Sequence, residues 1–385
     1  MSHIYYSILQ ICFFFPLTLL ANQQPQDLEI SLLTCESGTA LYSTFGHSAI
    51  RVQDKSRNQD LIFDYGNFSF DTPFFVVKFL RGDLKYYLDV SEFKAFQRAY
   101  TRANRGVVAQ KLNLPLNIKK EIYSQLIANL VEEKRYYYYD FLQDNCSTRI
   151  RDLLLFETVK VPNFAKKTTY RKQLKVYLQD KTWLALGIDI LLGMRVDKPL
   201  NLTRYMFLPN TLHEQIMNYQ LKGKSIISAT ETIVEKKSKA KESTVNLSPF
   251  IVFSFFLLLL LFLFFKDPVW LPKLVNGIFI LFGLGGLLLL FLWFGTRHGA
   301  TQWNCNLLWL NPLCLVIPFI KNKPIRSKII LVILLINSLL LLLWGAIPQS
   351  LNVGIIPLVL MMILISTVAY FKLRVASNGE SELTI

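Results

Sequence analysis

Apolar and polar positions alternate in three regimes along the chain. Residues 8–20 are an apolar run too short to span a bilayer comfortably, and Ala21 and a polar Asn-Gln-Gln-Pro-Gln stretch follow it. That order is the form of a secretory signal peptide over 1–21, cleaved after Ala21, although its leading segment carries no Lys or Arg. Between 22 and 221 apolar residues recur with strand or helix spacing. Residues 222–247 are rich in Lys, Ser and Glu and have little to bury, so they read as a linker. From 248 the chain is almost continuously apolar.

Within the middle regime, residues 28–35 alternate enough for a strand. Residues 46–52 and 61–66 alternate again on either side of a polar stretch at 54–60, which predicts a hairpin with a seven-residue loop. His47, Ala49 and Arg51 then share one face of the first strand, and Asp64 lies on the return strand. Residues 71–104 read as helical pieces, with Phe75, Phe79 and Leu80 on one face and Phe93, Phe96 and Tyr100 on another. Residues 107–114 alternate like a strand, and 118–131 place Ile122, Leu126 and Leu130 on one helical face. A tyrosine-rich strand at 136–142 leads into a helix that begins near Cys146. Residues 183–192 are an apolar segment interrupted by Asp189.

In the last regime, five apolar segments lie near 250–265, 274–295, 303–320, 329–347 and 353–371. Each approaches the ~20 residues that cross hydrocarbon, the first and third only marginally. Lys266 and Lys273 flank the first loop, Lys321, Lys323, Arg326 and Lys328 the third, and Lys372 and Arg374 the tail. The second loop has only Arg297 and the fourth has no cation. The positive-inside rule therefore places loops one and three and the C-terminus in the cytoplasm, with residues 22–247 outside.

The net charge of +15 changes little in this picture. A basic protein invites a nucleic-acid reading. Here the membrane part carries its cations in short loops, and the exported part mixes 33 Lys/Arg with 24 Asp/Glu. A basic surface facing anionic lipid accounts for the excess, and no nucleic-acid partner is expected. Five cysteines make no disulfide framework. Cys12, Cys305 and Cys314 fall in apolar segments, leaving Cys35 and Cys146 in the exported part.

Cys146 is where candidate chemistry concentrates. Asp144 and Asn145 are favoured helix caps, and Ile150, Leu153 and Leu154 continue an apolar helical face behind them. A cysteine in the first turn meets free N–H groups and the positive end of the macrodipole, which stabilise a thiolate. Such a thiol is either a nucleophile or half of a disulfide with Cys35. A nucleophile needs a base and an orienter for that base. His47 is one of four histidines, the others being His3, His213 and His298, and Asp64 is placed to orient it. The plainer readings are a hydrogen-bonded histidine at a strand start, an aspartate capping the Tyr65-Gly66 turn, and a bridged or inert core cysteine.

These motifs are familiar together. Ser31-Leu32-Leu33-Thr34-Cys35, Phe45-Gly46-His47-Ser48-Ala49-Ile50-Arg51, Asp64-Tyr65-Gly66-Asn67-Phe68 and Asp144-Asn145-Cys146-Ser147-Thr148-Arg149 resemble the exported domain of the Lnb-type lipoprotein N-acyltransferases. Gly187-Ile188-Asp189-Ile190-Leu191-Leu192-Gly193 and Asn304-Cys305-Asn306-Leu307-Leu308-Trp309-Leu310-Asn311-Pro312 extend the resemblance over most of the chain. More broadly, the order His, acid, Cys looks like permuted papain-like enzymes of the NlpC and lecithin–retinol acyltransferase type. The resemblance implies an α+β permuted papain-like (NlpC-type) exported domain over 22–221. The linker at 222–247, an all-α five-span membrane bundle over 248–372 and a cytoplasmic tail at 373–385 would follow it.

By that resemblance the protein is an acyltransferase of the bacterial cytoplasmic membrane with its catalytic domain in the periplasm. Cys146 would take a fatty acyl group as a thioester and pass it to the N-terminal amine of a lipoprotein. The donor would be a phospholipid or another lipoprotein, and no cofactor or metal is needed. His47 would be general base and acid, Asp64 its orienter, and Asn145, Cys146 and Ser147 the helix start that supplies oxyanion donors. Trp303, Asn304 and Asn306, at the outer end of the third segment, are candidates for lipid or substrate contact. The plainer role for them is an interfacial aromatic belt with helix-packing amides. Two other functions use the same residues: a membrane-tethered cysteine peptidase or amidase acting on the cell wall, and a non-catalytic scaffold with a Cys35–Cys146 bridge.

Overall fold

The computed structural model describes residues 27–155, 159–160, 164, 166–237 and 247–381. The expected signal peptide lies outside them. Strand β1 (Leu28–Cys35) pairs along its whole length with β2 (His47–Asp54), Cys35 standing opposite His47. A 3-10 turn at Lys55–Arg57, closed by Asn58 in the left-handed region at φ 52°, returns the chain into β3 (Gln59–Asn67). The loop is shorter than the polar pattern predicted. Arg51 pairs with Asp60 across the hairpin at 2.8 and 2.6 Å, so polar residues belong to the strands there.

Short helix α1 (Phe75–Arg81), strand β4 (Lys85–Glu92) and helix α2 (Phe93–Arg102) follow. The helical reading of 71–104 therefore missed β4. Its sequence Lys-Tyr-Tyr-Leu-Asp-Val-Ser-Glu buries only Leu88 fully, too little alternation to stand out. Strand β5 (Val107–Leu112), helices α3 (Leu116–Ala128) and α4 (Glu132–Arg135) and strand β6 (Tyr136–Tyr138) lead to helix α5 (Cys146–Leu154). A small sheet of β7 (Val159–Lys160), β8 (Gln220–Leu221) and β9 (Lys224–Ser225) encloses helices α6 (Tyr170–Tyr177), α7 (Thr182–Leu191), α8 (Leu202–Tyr205) and α9 (Pro209–Ile216) in sequence.

Strand β10 (Ile227–Val234) closes the main sheet, whose order is β10-β5-β1-β2-β3-β4-β6 with every neighbour antiparallel. Much of the expected linker is therefore an edge strand. Its side chains mostly face water and its backbone bonds to β5, so hydropathy carries no trace of it.

The pleat sorts the core onto two faces. Ile30, Leu32, Ile50, Val52, Phe63, Tyr65 and Leu88 pack beneath α3, α5 and α9. Leu33, Cys35, Ala49, Ile62, Val107 and Ala109 pack against Phe93 and Phe96 of α2. Each fully buried large side chain contributes about 1.5–3 kcal/mol.

Beyond residue 247, four helices are long and apolar enough to cross a membrane: α10 (Pro249–Lys266), α11 (Leu271–Phe294), α12 (Lys323–Leu342) and α13 (Ile356–Ser381). The remaining apolar segment, Cys305–Phe319, is shorter and made of 3-10 turns. Pro312 and Pro318 disfavour an α-helix there. Gly283 and Gly286 of α11 let it approach closely, since a Cβ at Gly286 would meet the Leu310 carbonyl and Pro312.

Contacts along α11 give this segment a direction. Thr301 Oγ1 donates to the Leu292 carbonyl at one end, Leu315 lies against Gly283 further down, and Arg326 of α12 donates to Asn276 at the other end. At that same end Lys372 pairs with Asp267, whereas Gly354 lies beside Pro249 at the end that meets the sheet domain.

Candidate active site

Site geometry starts where two strands part. β2 and β3 pair from Asp54 opposite Gln59 to Ile50 opposite Phe63, and no further pair joins them among the described residues. Beyond that point β3 stays with β4 through a bulge at Gly66, whose φ of +98° lies in the region glycine tolerates. His47 on β2 and Asp64 on β3 thus face one another across a widening gap. The N-terminus of α5 enters it, and Cys146 Cβ lies 3.8 Å from where a Gly66 Cβ would stand.

The segment ahead of Cys146 is held rigidly. Asp140 accepts the N–H groups of Leu142 and Gln143 at 2.8 and 2.9 Å. Asp144 grips Arg149 with two bonds of 2.6 and 2.8 Å, and that guanidinium lies 3.5 Å over the Tyr137 ring. Asn145 is the cap. Its Oδ1 accepts from Ser147 and Thr148, its Nδ2 donates to the carbonyls of Phe141 and Phe207, and Thr148 returns the capping-box bond. Since the cap takes the N–H groups of Ser147 and Thr148, the Cys146 N–H is the helix-start donor that it leaves unengaged.

His47 Nε2 donates to Asp64 Oδ1 in a very short contact, which leaves Nδ1 as the ring nitrogen not bound to the carboxylate. The His47 ring and the Cys146 thiol are close enough for each to favour the other's charged form. Burial works against charging either group. For His47 it is outweighed by the Asp64 carboxylate, then by the Cys146 thiolate, so the imidazole is held charged well above its usual range. For Cys146 the His47 charge, its hydrogen bond and the Ser48 backbone N–H together overcome burial and lower the thiol below its usual range. Ser48 lies past the last β2–β3 pair while still paired with Thr34 of β1. Ser48 and Ser147 hydroxyls meet at 3.1 Å and tie the helix start to β2. The arrangement favours a thiolate–imidazolium pair with an oriented base, the chemistry that nucleophilic attack on a carbonyl requires.

Cys35 stands beside His47 in the sheet but on the opposite face from Cys146, packed under α2. Both cysteines are free thiols. Burial pushes Cys35 up to about 11, so it is protonated at neutral pH and unsuited to attack. Among the described residues no group of three His, Cys, Asp or Glu side chains forms a metal site.

The membrane-end candidates do other work. Asn304 and Asn306 are buried. Asn304 donates to the carbonyls of Ile190 and Leu191, and Asn306 to those of Asp189 and Ile190. They dock α7 onto the membrane part and are not open to lipid. Trp303 is exposed and packs against Trp293 at 5.1 Å between ring centres.

Sequence reasoning assigned no role to Arg171, which lies fully buried at the same junction. It binds Asp189 at 2.8 Å and Asp197 at 2.9 Å, while Asn352 donates to the other Asp189 oxygen at 2.8 Å. Asp189 was the one available signal, a charge inside an apolar segment.

Comparison with known proteins gives two matches in chain order. Residues 16–176 match the family described as Lnb N-terminal periplasmic domain, and residues 239–375 match the Lnb transmembrane domain. No curated protein and no solved structure matches the chain.

Proposed function

The chain belongs to the Lnb-type family, as a multi-pass membrane protein with a periplasmic N-terminal domain, and on that premise we propose that it is a thiol acyltransferase of lipoprotein maturation. One observation carries the reading: His47, bonded to the Asp64 carboxylate, lies beside a Cys146 thiol at the start of α5.

In the first half-reaction the Cys146 thiolate attacks an acyl ester carbonyl. The oxyanion is met by the Cys146 N–H at the positive end of α5, and His47 gives its proton to the departing alkoxide. The product is a Cys146 thioester. In the second half-reaction the α-amine of a lipoprotein N-terminal cysteine attacks the thioester. His47 takes the amine proton, and the thiolate leaves to form the ion pair again. Asp64 holds the ring in register and stabilises its charge throughout. The sheet and its split strands support a permuted papain-like reading of the domain, with the histidine strand ahead of the cysteine helix.

Five crossings fit this placement. The two 3-10 helices Cys305–Leu308 and Pro312–Phe319 would make the short third crossing. Its contacts run antiparallel to α11 from Leu292 to Gly283, and α12 starts beside Asn276. Lys266, Lys273, Lys321, Lys323, Arg326, Lys328, Lys372 and Arg374 then belong to the cytoplasmic side, and the C-terminus is cytoplasmic.

Mass spectrometry of lipoprotein N-termini tests the function. Cells with the intact chain should carry N-acylated termini that vanish with Cys146→Ala, and a hydroxylamine-labile acyl group should be found on Cys146. Unchanged termini with altered release of cell-wall peptides would instead assign a tethered peptidase or amidase.

A further inference from the structure

Helix α1 is too apolar for an exposed element. Phe70, Phe74, Val76, Val77, Phe79 and Leu80, on it and just before it, are between 48% and 80% exposed. Its height is set by the outer end of α11. The Arg297 N–H donates to the Arg81 carbonyl at 2.8 Å, Arg297 Nε to Asp83 at 2.7 Å, and the His298 ring to the Phe79 carbonyl at 3.2 Å. Phe294, the last residue of α11, is 75% exposed. An apolar helix with Lys78 and Arg81 in its last turn, tied to the mouth of a membrane span, lies at a bilayer surface. Water is the wrong neighbour for it and the outer leaflet the right one.

Behind α1 the aromatic rings continue inward. Phe79 meets Phe75 at 6.1 Å between centres, Phe75 meets Phe68 at 5.8 Å, Phe68 meets Tyr86 at 5.1 Å, and Tyr86 stacks on Tyr139 at 4.4 Å. The Tyr139 ring edge is 3.7 Å from the place of a Gly66 Cβ, and Cys146 Cβ is 3.8 Å from the same point. One end of this ladder is open at the membrane and the other is at the nucleophile. A core cluster serving stability alone would close over both ends. Burial keeps the Tyr86 and Tyr139 phenols neutral, Tyr86 being pushed up to about 12, so the inner wall bears no charge at working pH.

We propose that α1 and the ladder Phe79–Phe75–Phe68–Tyr86–Tyr139 form an acyl-chain track, along which one chain of an outer-leaflet diacyl phospholipid is drawn from the bilayer to Cys146. The track rests on the thiol-acyl reading above and names its donor class. Aromatic faces suit such a ligand because a methylene chain needs contact area without directional bonds. Phe74, at φ 57° in the left-handed region, turns the chain into the start of α1.

The test uses the full chain in vesicles of phosphatidylethanolamine and phosphatidylglycerol, with a phosphatidylethanolamine that carries a diazirine in one acyl chain. Irradiation should label residues of α1 together with Phe68, Tyr86 or Tyr139. Labels confined to α10–α13, or labelling by a diacylglyceryl lipopeptide but not by the phospholipid, overturn the assignment.

In parallel, Phe79→Glu and Phe68→Ser should slow thioester formation on Cys146 about tenfold or more, as expected for losing an apolar contact of this size. Alkylation of Cys146 by iodoacetamide should stay at the parent rate, showing the site intact. Normal thioester formation in both variants sinks the track and leaves the acyltransferase standing. No thioester in the unaltered chain sinks the acyltransferase, and the photolabel still decides whether lipid occupies the track. If a variant loses alkylation as well, the photolabel on the unaltered chain decides for or against the track.

Discussion

Cys146 is 8% exposed and yet held toward its thiolate, a combination that burial alone forbids. The cause is local: a charged His47, its hydrogen bond and the Ser48 N–H. Sign follows from the two shifts. The thiolate exists above a lowered Cys146 pKa and the imidazolium below a raised His47 pKa, so the two shifts widen the pH range of the ion pair from both sides. Alkylation of Cys146 should therefore set in at lower pH than that of an ordinary cysteine. In His47→Ala, burial is unopposed by that charge, and the rate should rise only at distinctly higher pH. An unchanged profile would show that something else activates the thiol.

Asp64→Asn keeps a bonding partner for the ring but removes its charge, so turnover should fall while remaining measurable, whereas His47→Ala should abolish it. Equal and complete loss in both would mean that the acid does more than orient. Cys35→Ala should leave Cys146 alkylation unchanged, because Cys35 sits on the other face of the sheet.

Among elements, α5 and its cap were legible because Asn145-Cys146-Ser147-Thr148 is a local signal, written in one turn of chain. Asn145→Ala removes two accepted and two donated bonds, so it should cost about 0.5–2 kcal/mol from the cap alone and more from the orphaned Phe141 and Phe207 carbonyls. A denaturant titration beside an alkylation assay reads both effects. A loss of stability below this range would show the cap to be dispensable.

Strands β4 and β10 were not legible. Each gets its place from backbone pairing with a neighbour, and pairing leaves no mark on hydropathy when the side chains face water or a membrane surface. The sequence placed Phe75, Phe79 and Leu80 on one face, whereas the helix also exposes Val76 and Val77, and the sequence was silent on what they face. The Cys305–Phe319 segment was counted as a span from its composition. Its 3-10 form follows from two prolines and from the glycine notch in α11.

Across the whole molecule, the membrane part and the sheet domain are joined by buried polar residues. Arg171, Asp189 and Asp197 form an ion cluster that Asn352 extends, and Gln349 donates to the Leu192 carbonyl at 2.9 Å and to Asn304 at 3.2 Å. Removing one member leaves a charge buried without its partner, a loss of about 3–5 kcal/mol. Arg171→Ala should therefore expose the junction to proteolysis between residues 193 and 247 in membranes. Protection equal to the parent would mean that the two parts do not depend on this cluster. Reporter fusions test the five-crossing topology: a reporter active only in the cytoplasm should work at the C-terminus and fail in the loop at 343–352. The opposite pattern would remove one crossing.

By itself the sequence determined what is written locally or in bulk. The apolar segments and their flanking cations, the capped cysteine helix, the His47 and Asp64 strands and the family resemblance all lie within short windows of chain. Tertiary structure decided what depends on residues far apart in sequence meeting in space. It parts β2 from β3 so that the start of α5 brings the Cys146 thiol beside a His47 already bonded to Asp64, sets Cys35 on the other face of the sheet, and assigns Asn304 and Asn306 to docking. It also turns scattered aromatics from Phe68 to Tyr139 into one continuous ladder. The physical reason is that strand pairing and side-chain burial are set by partners, and a partner's identity is not contained in the window that seeks it.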